Sequence, residues 1–483
     1  MHLSEQTGWD YVRAAFQRIW GYDDFRPPQG EIIHSLLAHQ DALVVMPTGG
    51  GKSICFQLPA LLRTGLTLVV SPLVALMENQ VQELHHRDLP AALLHGELPS
   101  YQRRQTLLSV QRQHLRLLYL SPETLLSPPV WEVLCQPYIK INGLILDEAH
   151  CLVQWGNTFR PAYRRLGAVR SALLTHKLPG TRIAIAAFTA TADPQAQQII
   201  QKVLDLKHPD IFRLSPYRPN LNLAVQTTWT PRGRRNQLLK FIQQHPGQSG
   251  LVYVRTRRDS DSLATWLAQK GYQTAAYHAG LSPDERRYIE TAWLQGELQF
   301  VVCTSAFGMG INKPDVRWVI HFHAPVLLSE YVQEVGRAGR DGKPADALTL
   351  VSEPTGWLDP EDKQRLNFFQ ERVRSQQRLA QELVNQLPAK GDVNAIDQQF
   401  KQGAIALSLL HSSGQLEWQD PFRYVLTSTK TPQFPQQEQG AQQMLQFLTT
   451  PECRWRFLLA AFGFAKESQS MRCGHCDRCL SRP

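Results

Sequence analysis

The sequence lacks any apolar run of about 18 residues, the length a membrane-spanning helix requires. Its opening, MHLSEQTGWDYVRAAF, lacks the apolar centre of a secretory signal. The expected location is therefore cytoplasmic (nucleoid-associated in a bacterium), with no membrane partner and with thiols kept reduced. Charge is also sparse, at 19% of 483 residues against 43% hydrophobic. That balance excludes a disordered or collagen-like chain, and eight cysteines in so long a chain exclude a disulfide scaffold. No fixed-period repeat is present. What charge there is leans positive, with 51 Lys and Arg against 42 Asp and Glu, a formal +9 that suits a polyanionic partner. The length predicts about three domains of ordinary size.

The cysteines divide into two groups. Cys55, Cys135, Cys151 and Cys303 stand among apolar neighbours and read as buried thiols. Cys453, Cys473, Cys476 and Cys479 crowd the carboxyl end, and clustering in a reducing compartment points to a metal.

Short apolar runs alternate with amphipathic stretches from residue 40 to about 350. A first set comprises Ala42–Met46, Leu66–Ser71, Leu115–Leu120, Leu144–Asp147 and Ile183–Thr189. A second comprises Leu251–Arg255, Thr274–Tyr277, Phe300–Thr304, Val316–Phe322 and Ala347–Val351. Continuous apolar strands between helical patterns predict parallel sheets covered on both faces. The expected fold is α/β, with two tandem doubly wound domains divided by the polar stretch Ser215–Gly233. After Ser352 the rhythm changes to a long Gln- and Arg-rich helix over 359–386, a short apolar helix over 403–411 and a hairpin over 414–427. The predicted bounds are 1–212 and 213–352 for the two α/β domains, 353–450 for an insert and 451–483 for a cysteine module.

Three pieces of sequence carry chemistry. The strand at Ala42–Met46 runs into PTGGGKS, residues 47–53, and then into an apolar helix. Consecutive glycines (Gly49, Gly50, Gly51), with Thr48 beside them, let backbone N–H groups turn towards phosphate oxygens. Lys52 reaches the β- and γ-phosphates, and Ser53 supplies a hydroxyl for Mg²⁺. Met46 stands where the generic pattern has its first glycine. The second piece, LILDEAH over 144–150, ends a strand in Asp147 and Glu148. Asp147 is placed to hold Mg²⁺ and Glu148 to orient and deprotonate a water attacking ATP. The third, QEVGRAGR over 333–340, contains Gln333 and two arginines, Arg337 and Arg340. At a spacing of three they share one helical face and suit charge stabilisation at a γ-phosphate.

With these pieces goes a series of motifs: FRPPQ (25–29), MPTGGGKS (46–53), SPLVALMENQV (71–81), DEAHCLVQWGNTFRPAY (147–163), FTATA (188–192), YHAGL (277–281), FGMGINKPDVR (307–317) and QEVGRAGRDG (333–342). In this order they resemble a RecQ-family DNA helicase of superfamily 2. The resemblance covers about residues 8–352 and resumes at 453–480. It implies two RecA-like motor domains, and an ATP-dependent 3′–5′ helicase acting on single-stranded and duplex or branched DNA in repair and recombination.

By the same resemblance Tyr22, Arg26 and Gln29 read adenine, although Tyr22 also suits a helix cap. Thr189 and Thr191 relay nucleotide state, and Gly308 and Gly310 allow close backbone approach. Ser71 and Pro72 line the single strand. Trp155, Phe159 and Arg160 form an aromatic-rich loop that stacks on unpaired bases, the alternative being a core-packed tryptophan. Cys453, Cys473, Cys476 and Cys479 match the family's structural zinc module, with His475 a conceivable substitute ligand, and Arg454, Arg456, Arg472 and Arg478 could touch phosphates.

Two departures stand out. About one hundred residues separate motor from zinc cysteines, longer than usual, and the small helical domain of larger relatives is not expected. The helix and hairpin of 393–427 are the minimum of a winged helix, the alternative being an unrelated helical insert. Trp418 and Tyr424 either stack on a terminal base pair or pack the hairpin. A monomeric motor with unknown protein partners completes the expectation. An RNA-acting DEAH-type ATPase and a decayed motor that only binds DNA structures are the rival readings.

Overall fold

The computed structural model describes residues 5–47, 49–153, 160–307, 313–428, 430, 432 and 439–481. Two compact units result, the first built mainly from residues before 215 and from 375–434. Its sheet contains β1 (Ala42–Val45), β2 (Leu66–Val70), β3 (Ala91–Leu94), β4 (Leu117–Leu120), β5 (Ile141–Leu146), β6 (Ala184–Thr189) and β7 (Asp210–Arg213). The order is β3-β4-β2-β5-β6-β1-β7 and every pairing is parallel. Strand alternation sends Leu43, Val45, Leu68 and Val70 to one core, and Ala42, Val44 and Val69 to the other. Both faces are thus apolar, which is why the strands read as unbroken hydrophobic runs.

The second unit, mainly 215–374 and residues from 435 onward, repeats the design. Strands β8 (Leu221–Thr228), β9 (Gly250–Tyr253), β10 (Thr274–Tyr277), β11 (Phe300–Cys303), β12 (Trp318–His321) and β13 (Ala345–Ser352) lie in the order β10-β11-β9-β12-β13-β8. All pairings are parallel. A Cβ on Gly250 would stand 2.0 Å from the Trp318 ring, so only glycine lets that buried tryptophan lie across the sheet. The ten expected strands are present. The three that were not expected, β3, β7 and β8, are all edge strands. The polar stretch read as a divider contains β8 itself.

The segment expected as one insert, 353–450, is shared between the units. Helix Glu361–Leu383 opens it. Then come β14 (Lys390–Asp392), helices Val393–Gln399 and Gly403–Ser412, β15 (Leu416–Trp418) and β16 (Arg423–Leu426). The three strands form an antiparallel sheet in the order β14-β16-β15, so the two helices lie between the first strand and the hairpin of the other two. Tyr424 is fully buried, which excludes it from stacking on a base pair. Trp418 is half-buried against His411, ring centroids 5.5 Å apart. Both aromatics pack the hairpin onto its helix.

The carboxyl-terminal helices belong to the second unit. Trp455 donates from Nε1 to the Leu221 carbonyl at 3.1 Å and meets Tyr217 edge-on at 5.3 Å. Asp477 accepts from the Val225 amide at 3.1 Å. No helix among the described residues is long and apolar enough to cross a membrane.

Candidate nucleotide site and metal centre

β1 delivers the chain to the glycine-rich loop, where Gly49 and Gly51 adopt φ of +85° and +79° before helix Lys52–Leu62 begins. A Cβ on Gly51 would lie 2.3 Å from Gln29 Nε2. That nitrogen donates to the Gly50 carbonyl at 3.1 Å, while Gln29 Oε1 accepts from the Arg26 amide at 3.0 Å. Buried Gln29 therefore ties the preceding segment to the loop. Arg26 is exposed, and Tyr22 is 52% exposed with its ring 5.8 Å from Phe16. Lys52 Nζ is buried and has no hydrogen-bond partner among the described residues, and Ser53 follows it in the first helical turn. Thr48 lies outside the described residues.

β5 carries the acid pair to the same carboxyl edge. The Asp147 amide donates to the Val70 carbonyl at 2.9 Å, and Glu148 turns into the left-handed region at φ +52°. Asp147 is held twice: Oδ1 accepts from the Glu148 amide at 3.0 Å and Oδ2 from Gln80 Nε2 at 3.3 Å. Burial, reinforced by the neighbouring Glu148 charge, pushes the Asp147 pKa up to about 6 against the pull of Lys52. His150 Nδ1 stands 3.1 Å from Glu148 Oε2 and 3.2 Å from Thr189 Oγ1. Burial works against charging this ring, but Cys151 and Glu148 outweigh it and raise its pKa. Thr189 Oγ1 in turn donates to the Thr191 carbonyl at 3.2 Å, so the FTATA segment is wired to the acid pair. A buried, unpartnered ammonium beside two buried carboxylates fits a nucleotide phosphate carrying a divalent cation.

In the second unit, helix Leu328–Val335 carries Gln333 and Glu334, both buried. It stops at Val335, so Arg337 and Arg340 stand on a turn rather than on the helical face expected of them. Within that turn Gly339 takes φ +59°, and a Cβ there would come within 2.5 Å of Asn220 Nδ2. Burial and the nearby Arg337 charge lower the Arg340 pKa to about 10. Arg255 grips Glu334 through two bonds of 3.2 and 2.8 Å, and His321 Nε2 adds a contact of 2.9 Å. Although burial opposes ionisation, Arg255 and His321 hold the Glu334 carboxyl down to about 2. Sequence reasoning missed Arg255 and His321, which lie at or just past strand ends and in no motif that the sequence offers. Gln80 lay inside a quoted motif without a role.

Of the expected DNA contacts, Ser71 is 1% exposed and Pro72 buried at the end of β2, so the solvent-facing part of that turn starts at Leu73. Arg160 precedes the 3₁₀ helix Pro161–Ala168 and stands 3.5 Å from Glu123, with 38% of its side chain exposed. Trp155, Phe159, Gly308 and Gly310 lie outside the described residues.

Cys453, Cys473, Cys476 and Cys479 converge, their sulfurs all within 4.8 Å of one another. Cys473 and Cys479 are 3.8 Å apart, and Cys453 and Cys476 are 3.9 Å apart. A tetrahedron with metal–sulfur bonds of about 2.3 Å has edges of about 3.8 Å, so the thiols present fit zinc. Backbone amides of Arg454, Cys473 and Cys476 each approach a sulfur at 3.3–3.4 Å. His475 is turned to Tyr217, 3.3 Å from its hydroxyl, and is not among the clustered groups. Arg454 is fully buried against Asp477, with two bonds of 3.0 Å, and so cannot serve as a phosphate contact.

Comparison with known proteins agrees with this geometry. The DEAD/DEAH box helicase family model matches residues 26–199 and the helicase conserved C-terminal domain matches 233–342. Two parallel sheets, the first bearing a phosphate-type loop and an Asp-Glu pair, define a helicase of that class. Solved structures show the same fold. Among them are the Mycobacterium smegmatis helicase Lhr (19% identity, TM-score 0.59, 92% of this chain and 62% of that one) and Saccharomyces cerevisiae Dbp5 (16%, 0.58, 75% and 93%).

The RecQ zinc-binding model matches residues 417–480, and the ATP-dependent DNA helicase RecQ of Synechocystis is 53% identical over 97% of this chain and 98% of its own. The chain belongs to the RecQ family. The Pasteurella multocida RecQ helicase is 38% identical over 75% of this chain, which spans 56% of that longer protein.

Proposed function

We propose that this chain is an ATP-dependent DNA helicase that translocates 3′–5′ on single-stranded DNA and unwinds duplex or branched DNA in repair and recombination. The observation that carries the reading is the buried, unpartnered Lys52 ammonium beside the buried Asp147–Glu148 pair, in a chain 53% identical to a RecQ helicase. In this reading Gly49, Gly50, Gly51 and Thr48 wrap the phosphates, and Tyr22, Arg26 and Gln29 hold adenine. Lys52 meets the β- and γ-phosphates. Ser53 and Asp147 hold Mg²⁺, which neutralises phosphate charge when bound. Glu148 takes the proton of the attacking water, with His150 fixing its carboxylate at 3.1 Å. Gln333, Arg337 and Arg340 answer the charge that develops on the γ-phosphate.

Zinc held by the four cysteines staples the module of residues 451–483, and 1–212 and 213–352 are the motor domains, with 353–450 the insert. Arg160, with Trp155 and Phe159, belongs to the single-strand track of a motor acting as a monomer in the cytoplasm. Steady-state ATPase measured with and without single-stranded DNA tests the reading. Stimulation by DNA and not by RNA is expected. Stimulation by RNA alone would favour the RNA-acting alternative, and no turnover at all would leave only a structure-binding protein.

A further inference from the structure

The turn between β15 and β16 does not project into solvent. Phe422 sets its ring edge-on against Trp131, centroids 5.2 Å apart and planes at 77°, and packs against the apolar core under the first sheet. Pro421 is buried, and its carbonyl accepts from Arg165 Nη1 at 3.2 Å. From the neighbouring helix Gly403–Ser412, Ser408 Oγ donates to the Pro161 carbonyl at 3.3 Å. Both partners, Pro161 as acceptor and Arg165 as donor, belong to the 3₁₀ helix Pro161–Ala168.

That helix is the exit of the aromatic-rich stretch. The stretch enters through a second 3₁₀ helix, Ala149–Leu152, which carries His150 against Glu148 and Thr189. One end of the stretch is therefore anchored on the acid pair and the other on the insert. A 3₁₀ helix has strained hydrogen bonds and little stability of its own, so packing from outside sets its position. Here that packing comes from residues more than two hundred positions away in the chain.

We infer that Phe422 is a positioning residue for DNA-stimulated ATP hydrolysis. With Pro421 and Ser408 it clamps the exit of the aromatic-rich stretch, so that DNA engaged by that stretch acts on Glu148 rather than merely displacing a loose loop. The wing is then a brace on the first unit, not a wedge presented to duplex DNA. The inference rests on the helicase reading above, and the parent chain's response to DNA separates the two.

The test is an ATPase titration of the full chain with single-stranded oligodeoxythymidine. For Phe422→Ala the DNA-free rate should stay at the parent value, while the DNA concentration giving half-maximal stimulation should rise about fivefold or more. Phe422→Leu, which keeps an apolar contact, should restore most of the response. Arg165→Ala removes the bond to the Pro421 carbonyl in the same turn, should reproduce the defect, and is read in place of Phe422→Ala if that variant does not fold. A parent chain unresponsive to DNA overturns the helicase reading and this inference with it. With a responsive parent, three results overturn the inference alone: stimulation within about twofold of the parent in both variants, an equal fall in DNA-free and DNA-stimulated rates, or lost unwinding with intact stimulation.

Discussion

At the scale of single residues the nucleotide site is a problem in buried charge. Lys52 Nζ, Asp147 and Glu148 are enclosed where water cannot screen them, and Asp147 has neutral donors, Gln80 and the Glu148 amide, at hand. Lys52→Ala should lower ATP turnover by about 10²-fold or more, because it removes a buried cation aimed at the phosphates. Glu148→Gln keeps the shape and the His150 contact but cannot accept the water's proton. It should bind ATP normally and stall, as nucleotide binding measured alongside turnover will show. Arg337→Ala and Arg340→Ala should each cost about 10³-fold or more in rate if they act on the γ-phosphate. Normal hydrolysis in both would remove that assignment. The residues of this site were legible because loop, acid pair and arginines are contiguous motifs. The turn that carries the arginines was not, because spacing of three reads as helix and the close approach of Gly339 to Asn220 exists only in the fold.

At the scale of elements, two small units depend on particular groups. The zinc module has a modest core, so metal binding contributes directly to its folding. Cys476→Ser should give protein that holds no stoichiometric zinc by metal analysis and is cut readily by protease within 451–483. The insert depends on His411, whose pKa is lowered to about 3, first by burial and then by Arg164 and Lys202. The folded form resists protonation that the unfolded form accepts. Stability therefore falls as pH drops from about 6.5 towards 3, the window between the ordinary and the folded value. Proteolysis within 390–426 should accelerate at pH 5 relative to pH 7, and His411→Phe should flatten that dependence. The helix and hairpin here were visible as an apolar stripe and a Pro-centred alternation. The third strand, β14, is the three residues Lys390–Asp392, with no apolar pattern to betray it.

For the whole molecule, sequence-blind gripping of phosphates should make single-strand binding strongly salt-dependent. The logarithm of affinity should fall linearly with the logarithm of salt, at a slope of about −0.7 per phosphate neutralised. A fluorescence-anisotropy titration across salt checks this, and a flat profile would contradict a polyanion track. By itself the sequence determined the two doubly wound sheets, ten of their thirteen strands (edge strand β10 among them), the chemistry of the nucleotide loop and the four metal-type thiols. Continuous apolar runs and contiguous motifs are local signals that need no partner to be read. The tertiary structure decided three of the four edge strands: β7 is largely exposed, β8 mixes polar with apolar residues, and β3 is a run of only four residues. It decided that Ser71, Tyr424 and Arg454 are buried rather than offered to DNA. It also decided where the insert's wing comes to rest, through Phe422 on Trp131 and Ser408 on Pro161. Contacts between residues hundreds of positions apart leave no periodicity in the chain, and packing alone selects them.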